Sequence, residues 1–236
     1  MARTPIWQAI AAALRADIAQ GSYGPGAKLP TEAQLAHRFG VNRHTVRHAL
    51  ATLAEAGLVQ SRRGAGVFVT SVPTDYPLGR RVRFHQNVLA SGRTPSRQLL
   101  RSETRPANAE ETAALALQPA SAVHVIEGVS LANGLPLGLF RSVVPAARFP
   151  DFPEAMARLN SITAALAEAG VADYTRASTR LTAKVADAVQ AGHLQVPQGA
   201  PLLRSVTVNV DAAGQPVEFG TTWFAGDRVT LTVTPD

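Results

Sequence analysis

Arg43, His44, Thr45, Arg47 and His48 stand together in the run Asn42-Arg43-His44-Thr45-Val46-Arg47-His48. Arg43 and Arg47 are four residues apart, so on a helix they lie one turn apart on one face. A guanidinium is a flat, permanently charged fork that donates to two acceptors at once. At the N-terminal end of a helix such forks suit guanine edges and phosphate oxygens in a DNA major groove. Thr45 suits a phosphate or a thymine methyl. A second basic pair, Arg62-Arg63, precedes Gly64-Ala65-Gly66, where a hairpin tip would bring it to the minor groove or the backbone. The competing reading of Arg43 and Arg47 is a plain solvated helix face, which the flanking elements weaken. His44 and His48 have the i, i+4 spacing of some zinc sites. No nearby carboxylate completes a set, so solvent- or phosphate-facing histidines are expected.

These residues need a scaffold. Ile6, Ile10, Leu14 and Ile18 recur at helical spacing with Trp7 alongside, which predicts a helix from about Pro5 to Gln20. Gly21, Gly24, Pro25 and Gly26 stop it. Thr31 caps a second helix with Ala33, Leu35, Ala36 and Phe39 on its apolar side, and Gly40 breaks it at a tight turn. Asn42 caps the third helix, and Val46, Leu50 and Leu53 form the stripe that packs it on the other two. Leu58 to Ser61 and Val67 to Val69 read as two short strands around a glycine turn. Three helices and a hairpin make a winged helix-turn-helix over residues 1–71, the device that lays its recognition helix in a major groove.

Bulk properties agree with that division. Residues 1–105 hold 15 Lys/Arg against 5 Asp/Glu, and residues 106–236 hold 8 against 12, giving the net +6. A basic front and a mildly acidic back fit one part that meets a polyanion and one that does not. With 46% hydrophobic residues the 236-residue chain can bury two cores. It has no Cys, which excludes disulfides and thiolate metal sites and suits a reducing cytoplasm. Neither a signal peptide nor a spanning apolar stretch is evident. A cytoplasmic protein, associated with the nucleoid when on DNA and with no membrane partner, is expected.

Residues 72–97 read as a linker, punctuated by Pro73, Pro77, Gly79, Gly92 and Pro95, with a short helix from Phe84 to Ala90. Arg80-Arg81 fit phosphate contact or a solvated basic linker. Residues 98–236 read as a second domain. Strands lead into and out of Asn133-Gly134, a hairpin signal. A helix from Ser161 to Ala169, a strand from Thr175 to Val185 and a helix from Ala186 to Leu194 follow. Strands Leu202 to Val210, Pro216 to Trp223 and Val229 to Val233 finish the chain, the first two joined at Ala213-Gly214. Adjacent hairpins predict an antiparallel sheet with helices on one side, an α+β domain. Ser161 and Thr163 open a helix and could offer backbone N–H groups to an anion or simply cap it. Arg141, Arg176 and Arg180 are the available cations, with Glu218 and Trp223 to line the rest. Glu127 fits either a pocket acid or a paired structural acid. An enzyme is the weak alternative, because His85, His124 and His193 are scattered and no Ser-His-Asp order is evident. A constitutive architectural DNA binder is the third reading.

The first domain resembles the GntR family of bacterial transcription regulators, carried by Ile6 to Gly26, Leu29-Pro30-Thr31-Glu32 and Gly57-Leu58-Val59. The resemblance implies DNA contact from Ala33, Asn42, Arg43, Thr45, Arg47 and Gly64. Ala33 departs from the arginine common there, and His44 and His48 also differ from the small or amide residues usual at their positions. The second domain resembles the effector domain of the HutC branch, a fold shared with chorismate lyase. Within that branch, Ala146-Arg148-Phe149-Pro150, Ser161-Ile162-Thr163, Asp173-Tyr174-Thr175-Arg176, Thr179 to Ala183 and Phe224 to Arg228 resemble phosphonate-metabolism regulators. Related sugar-phosphate sensors hold their phosphate at the matching helix start and with an Arg pair on the strand before the hairpin. Here those strand positions are Gly128 and Ser130. The resemblance implies a homodimeric regulator, expected to repress a catabolic operon. It would bind double-stranded operator DNA and a small effector, with no cofactor. A phosphonate, inorganic phosphate, a sugar phosphate and an amino-acid catabolite all fit as effector.

Overall fold

The computed structural model describes residues 5–24, 26–62, 64–70, 73–81 and 83–233. Arg63 lies outside them. The chain divides into two compact units, Met1–Val72 with Gln195–Pro197, and Pro73–Leu194 with Gln198–Asp236.

In the first unit, α1 (Ile6–Ala19), α2 (Glu32–Phe39) and α3 (Arg43–Glu55) precede a two-stranded hairpin, β1 (Val59–Arg62) and β2 (Gly66–Val69). Thr31 and Gln34 form a reciprocal capping box at the start of α2. Gly40 ends that helix in the left-handed region at φ 63°, a conformation that favours glycine. The turn therefore closes within two residues, and Asn42 accepts from the Thr45 backbone N–H at 2.9 Å to start α3. Leu14, Leu35, Val46, Ala49 and Leu53 make one core beneath the three helices. Ile6 and Ala33 fall outside it and are exposed, because each lies on the solvent side of its helix.

The second unit is built on a six-stranded antiparallel sheet in the order β4-β5-β6-β9-β8-β7. Its strands are β4 (Pro95–Pro106), β5 (Ala122–Ala132), β6 (Leu135–Pro145), β7 (Thr175–Val185), β8 (Pro201–Val210) and β9 (Pro216–Ala225). Asn133 and Gly134, both at positive φ, turn β5 into β6 as expected. One face packs on α6 (Phe152–Leu159) and α7 (Ile162–Glu168), with Phe152, Met156 and Leu166 against Ile126, Phe140 and Val144. On the other face Val125, Val143 and Phe219 lie under Leu115, just past α5 (Ala109–Ala114). Helices therefore shield both faces rather than one. The stretch read as linker is structured too. Strand β3 (Thr74–Pro77) pairs in parallel with β10 (Val229–Thr232), so the last strand lies outside the main sheet. Then α4 (Phe84–Ala90) buries Phe84 and Val88. The short α8 (Ala188–Leu194) completes the unit.

Candidate functional site

The exposed surface of the first unit gathers α3 and the start of α2. Arg43, His44 and Ala33 are exposed. Thr45 donates its hydroxyl to the Asn42 side-chain oxygen at 2.9 Å, so the two polar groups at the head of α3 are pre-positioned by each other. Arg47 crosses to α2 and grips Glu32 with two hydrogen bonds, Nε at 3.0 Å and Nη2 at 2.7 Å. The Arg47 hydrogen bond holds the Glu32 carboxyl below its ordinary range. Arg47 thus has a fixed direction, and part of its charge is matched by an acid beside the same surface.

One sequence expectation for this surface is corrected. Arg62 is not a tip residue. It ends β1 opposite Gly66 and is 3% exposed, with its guanidinium 4.1 Å above the Phe68 ring, a cation–π contact inside the wing. His48 is exposed, like Arg47. It stacks on Trp7 of α1 at 4.2 Å between ring centroids and 17° between planes. The described residues of the turn are Gly64 and Ala65, with Gly64 at φ 74°. Removing the negative charge at Glu32 should loosen selectivity. The Glu32→Gln variant is expected to bind random duplex DNA more tightly, since a carboxylate beside the phosphates repels them. It should also discriminate less between operator and random DNA, since Arg47 loses its fixed direction. Competition binding with the two DNAs checks both.

The second unit holds a cavity of about 90 Å³ on the sheet face that carries α7. Strand parity decides what lines it. On β9, Glu218, Gly220, Thr222 and Phe224 point in; on β6, Phe140 and Ser142 do; on β8, Thr207 and Asn209 do. Arg97 of β4 lies opposite Ser130 of β5, and Arg176 of β7 opposite Asn209. Ile162 and Thr163 close one side with Tyr174, whose hydroxyl is 2.8 Å from that of Thr163. Tyr76, Arg83 and Phe84, from the stretch read as linker, close another.

Charge in this cavity is unevenly matched. Arg83 pairs with Asp173 at 2.7 Å and lies over the Tyr174 ring. Arg97 lies between the Phe84 and Phe140 rings at 5.3 and 5.1 Å, and its buried Nε has no hydrogen-bond partner. Burial pushes the Arg97 guanidinium below its ordinary range. Arg176 likewise keeps Nε and Nη1 buried and unpartnered. Glu218 is buried and accepts from Ser142 Oγ and, at 2.7 Å, from Asn209 Nδ2. Burial pushes the Tyr76 hydroxyl up to about 12 and raises Tyr174 as well. Both phenols therefore stay protonated and can donate.

Of the seven residues expected to bind an effector, Arg141, Thr163, Arg176 and Glu218 line this cavity. Arg141, although it lines the cavity, has its guanidinium held on the opposite face by Glu111 at 3.2 Å and Glu127 at 3.6 Å; Glu127 is thus a paired structural acid. The other three have different places. Ser161 caps α7 by accepting from the Ala164 N–H. Arg180 lies across from Val206 in a groove on the opposite face. Trp223, five residues from Glu218, also points to the opposite face and pairs with Leu139 and Arg204. Sequence reasoning missed Arg97, Arg83, Tyr76 and Tyr174. Gly128 explains why an arginine is absent there: a Cβ would sit 2.5 Å from the Gln98 carbonyl oxygen and 2.8 Å from the Phe140 ring.

A winged helix-turn-helix joined to a sheet domain with a charged internal cavity defines a ligand-responsive DNA-binding protein. Residues 7–69 match the model of bacterial regulatory proteins of the gntR family, and residues 90–230 match the UTRA domain. The chain belongs to the GntR family of bacterial transcription regulators, in the branch that carries a UTRA effector domain. It is 39% identical over 229 residues to an HTH-type transcriptional regulator of Rhizobium meliloti (strain 1021), covering 97% of this chain and 94% of the relative. It is 35% identical over 232 residues to the probable transcriptional regulator PhnF of Escherichia coli (strain K12), covering 96% and 94%. The crystal structure of PhnF from Mycobacterium smegmatis superposes with a TM-score of 0.68 at 26% identity, covering 96% of this chain and 99% of that one. Among the described residues no helix is long and apolar enough to cross a membrane.

Proposed function

We propose that this regulator is a cytoplasmic repressor that binds a palindromic operator as a homodimer and responds to a small phosphorus-containing anion. One recognition helix would enter each half-site, with Arg43, His44, Thr45 and Arg47 toward the bases, and Asn42, Ala33, Gly64 and Arg63 around them. The observation that carries the effector reading is the pair of cavity guanidiniums, Arg97 and Arg176, whose buried nitrogens lack partners. Buried cations without partners are costly, and an oxyanion supplies the missing acceptors bidentately. The motifs that resemble phosphonate-metabolism regulators, and the likeness to two PhnF proteins, favour a phosphonate over the other anions. No catalytic role is proposed for the cavity, since its polar groups suit holding an anion in place.

An effector can shift operator binding only by favouring one arrangement of the dimer over another. The test is a mobility-shift titration on the operator with alkylphosphonates and inorganic phosphate. Release, or tightening, at a defined ligand concentration is expected. Firm operator binding that no phosphorus compound alters would falsify the proposal.

A further inference from the structure

The cavity holds charges of both signs that do not meet. Among the described residues, Arg97, Arg176 and Glu218 form no ion pair with one another or with any other residue. Glu218 accepts its hydrogen bonds from the neutral donors Ser142 and Asn209. A carboxylate offers about four acceptor sites, so it retains capacity for a donor that arrives with a ligand. Each Glu218 oxygen has one neutral donor, but its buried charge has no cation paired with it, and buried charges are ordinarily paired.

We infer that the effector is a short zwitterion, with an oxyanion held by Arg97 and Arg176 and an ammonium group held by Glu218. This deepens the anionic-effector reading and rests on it. Arg97, Arg176 and Glu218 together leave one positive charge in excess; Arg83 is held by Asp173, which it shares with the exposed Arg81. A ligand carrying a doubly ionised phosphonate and one ammonium brings one net negative charge and balances it. Size points the same way. The cavity is about 90 Å³. At roughly 10–15 Å³ for each water-sized group, that accommodates about six to nine heavy atoms, the scale of a two- or three-carbon aminoalkyl oxyanion. A hexose phosphate is about twice as large. Thr163 and the two phenols, Tyr76 and Tyr174, supply further donors around the oxyanion.

The test is calorimetric titration of the full chain with 2-aminoethylphosphonate, ethylphosphonate, inorganic phosphate and β-alanine. The aminophosphonate is expected to bind at least tenfold more tightly than ethylphosphonate. β-Alanine tells whether a planar carboxylate satisfies the arginines; tighter binding of β-alanine than of ethylphosphonate also supports the zwitterion and assigns the oxyanion as a carboxylate. The Glu218→Gln variant should lose the preference for the amino compound while still binding ethylphosphonate. Equal binding of amino and plain phosphonate by the unaltered protein overturns the inference and leaves the anionic-effector reading standing. No binding of any of the four removes both. The comparison on the unaltered protein keeps the test decisive even where Glu218→Gln fails to fold, which circular dichroism reports.

Discussion

The Arg43→Ala and Arg47→Ala variants are each expected to lose specific operator binding while keeping their fold. A bidentate arginine–base contact is worth about 1–3 kcal/mol of discrimination. A symmetric dimer forfeits it at both half-sites, so the expected cost is about 2–6 kcal/mol, or roughly 30-fold to more than 10⁴-fold in affinity. Neither side chain takes part in the core formed by Leu14, Leu35, Val46 and Leu53, so thermal stability should move little. The two variants should differ in a way the geometry dictates. Among the described residues Arg43 forms no ion pair, whereas Arg47 is held by Glu32 through two hydrogen bonds. Removing Arg47 also exposes an unmatched acid beside the phosphates, so Arg47→Ala should weaken binding to random DNA more than Arg43→Ala does. Where the deleted arginine neutralises a phosphate, the slope of log affinity against log salt should flatten by about 0.9 for each phosphate released. Fluorescence anisotropy at several salt concentrations measures both quantities. Unchanged operator affinity in either variant would remove that arginine from the reading surface.

The first unit was legible because its residues obey one period. Val46, Leu50 and Leu53 repeat at helical spacing, and Asn42 and Gly40 punctuate the turn chemically. The cavity was harder to read because it depends on which face a strand residue meets. Glu218 and Trp223 are separated by an odd number, so parity alone places them on opposite faces of β9; the sequence carried that information. Arg176 and Arg180 are four apart and would share a face in a regular strand. The register shift between Arg176 and Ser178 breaks that rule and sends Arg180 away from the cavity. No residue type flags that shift. Arg97 was invisible for another reason. It sits in Pro95–Pro106, an edge strand so polar that its period is hidden. Its place beside Ser130 exists only through the pairing of β4 with β5. The arginine absent from Gly128 is thus replaced by one from the neighbouring strand, a substitution across the sheet rather than along the chain.

The Glu111→Gln variant is expected to be the most destabilising single charge change in the second unit. Glu111 is 1% exposed. Its carboxylate accepts from Arg105 at 2.6 and 2.7 Å, from the Asn108 backbone N–H at 3.0 Å and from Arg141 at 3.2 Å. One acid thus joins α5 to β4 and β6 and closes the capping box at the helix start. Burial alone raises its carboxyl, and the Arg105 and Asn108 hydrogen bonds with the nearby Arg141 outweigh it, so the net shift is downward. A folded value below the unfolded one means the unfolded chain binds the proton more readily. The stabilisation is therefore present above the ordinary glutamate range and is lost as pH falls through the lower folded value. Breaking a buried pair from one side costs about 3–5 kcal/mol. Arg105 and Arg141 are 25% and 33% exposed, and water softens their loss, so about 2–3 kcal/mol is expected. That corresponds to a fall of roughly 4–12 °C in Tm. The variant should also lose part of the acid sensitivity seen in the unaltered protein. Replacing Arg105 and Glu111 together with methionine should recover much of the loss, because apolar side chains leave no orphaned charge. Thermal melts at pH 7 and pH 4 compare the three proteins. A double replacement no more stable than Glu111→Gln would show that the cost lies in the helix cap and not in the uncompensated arginines.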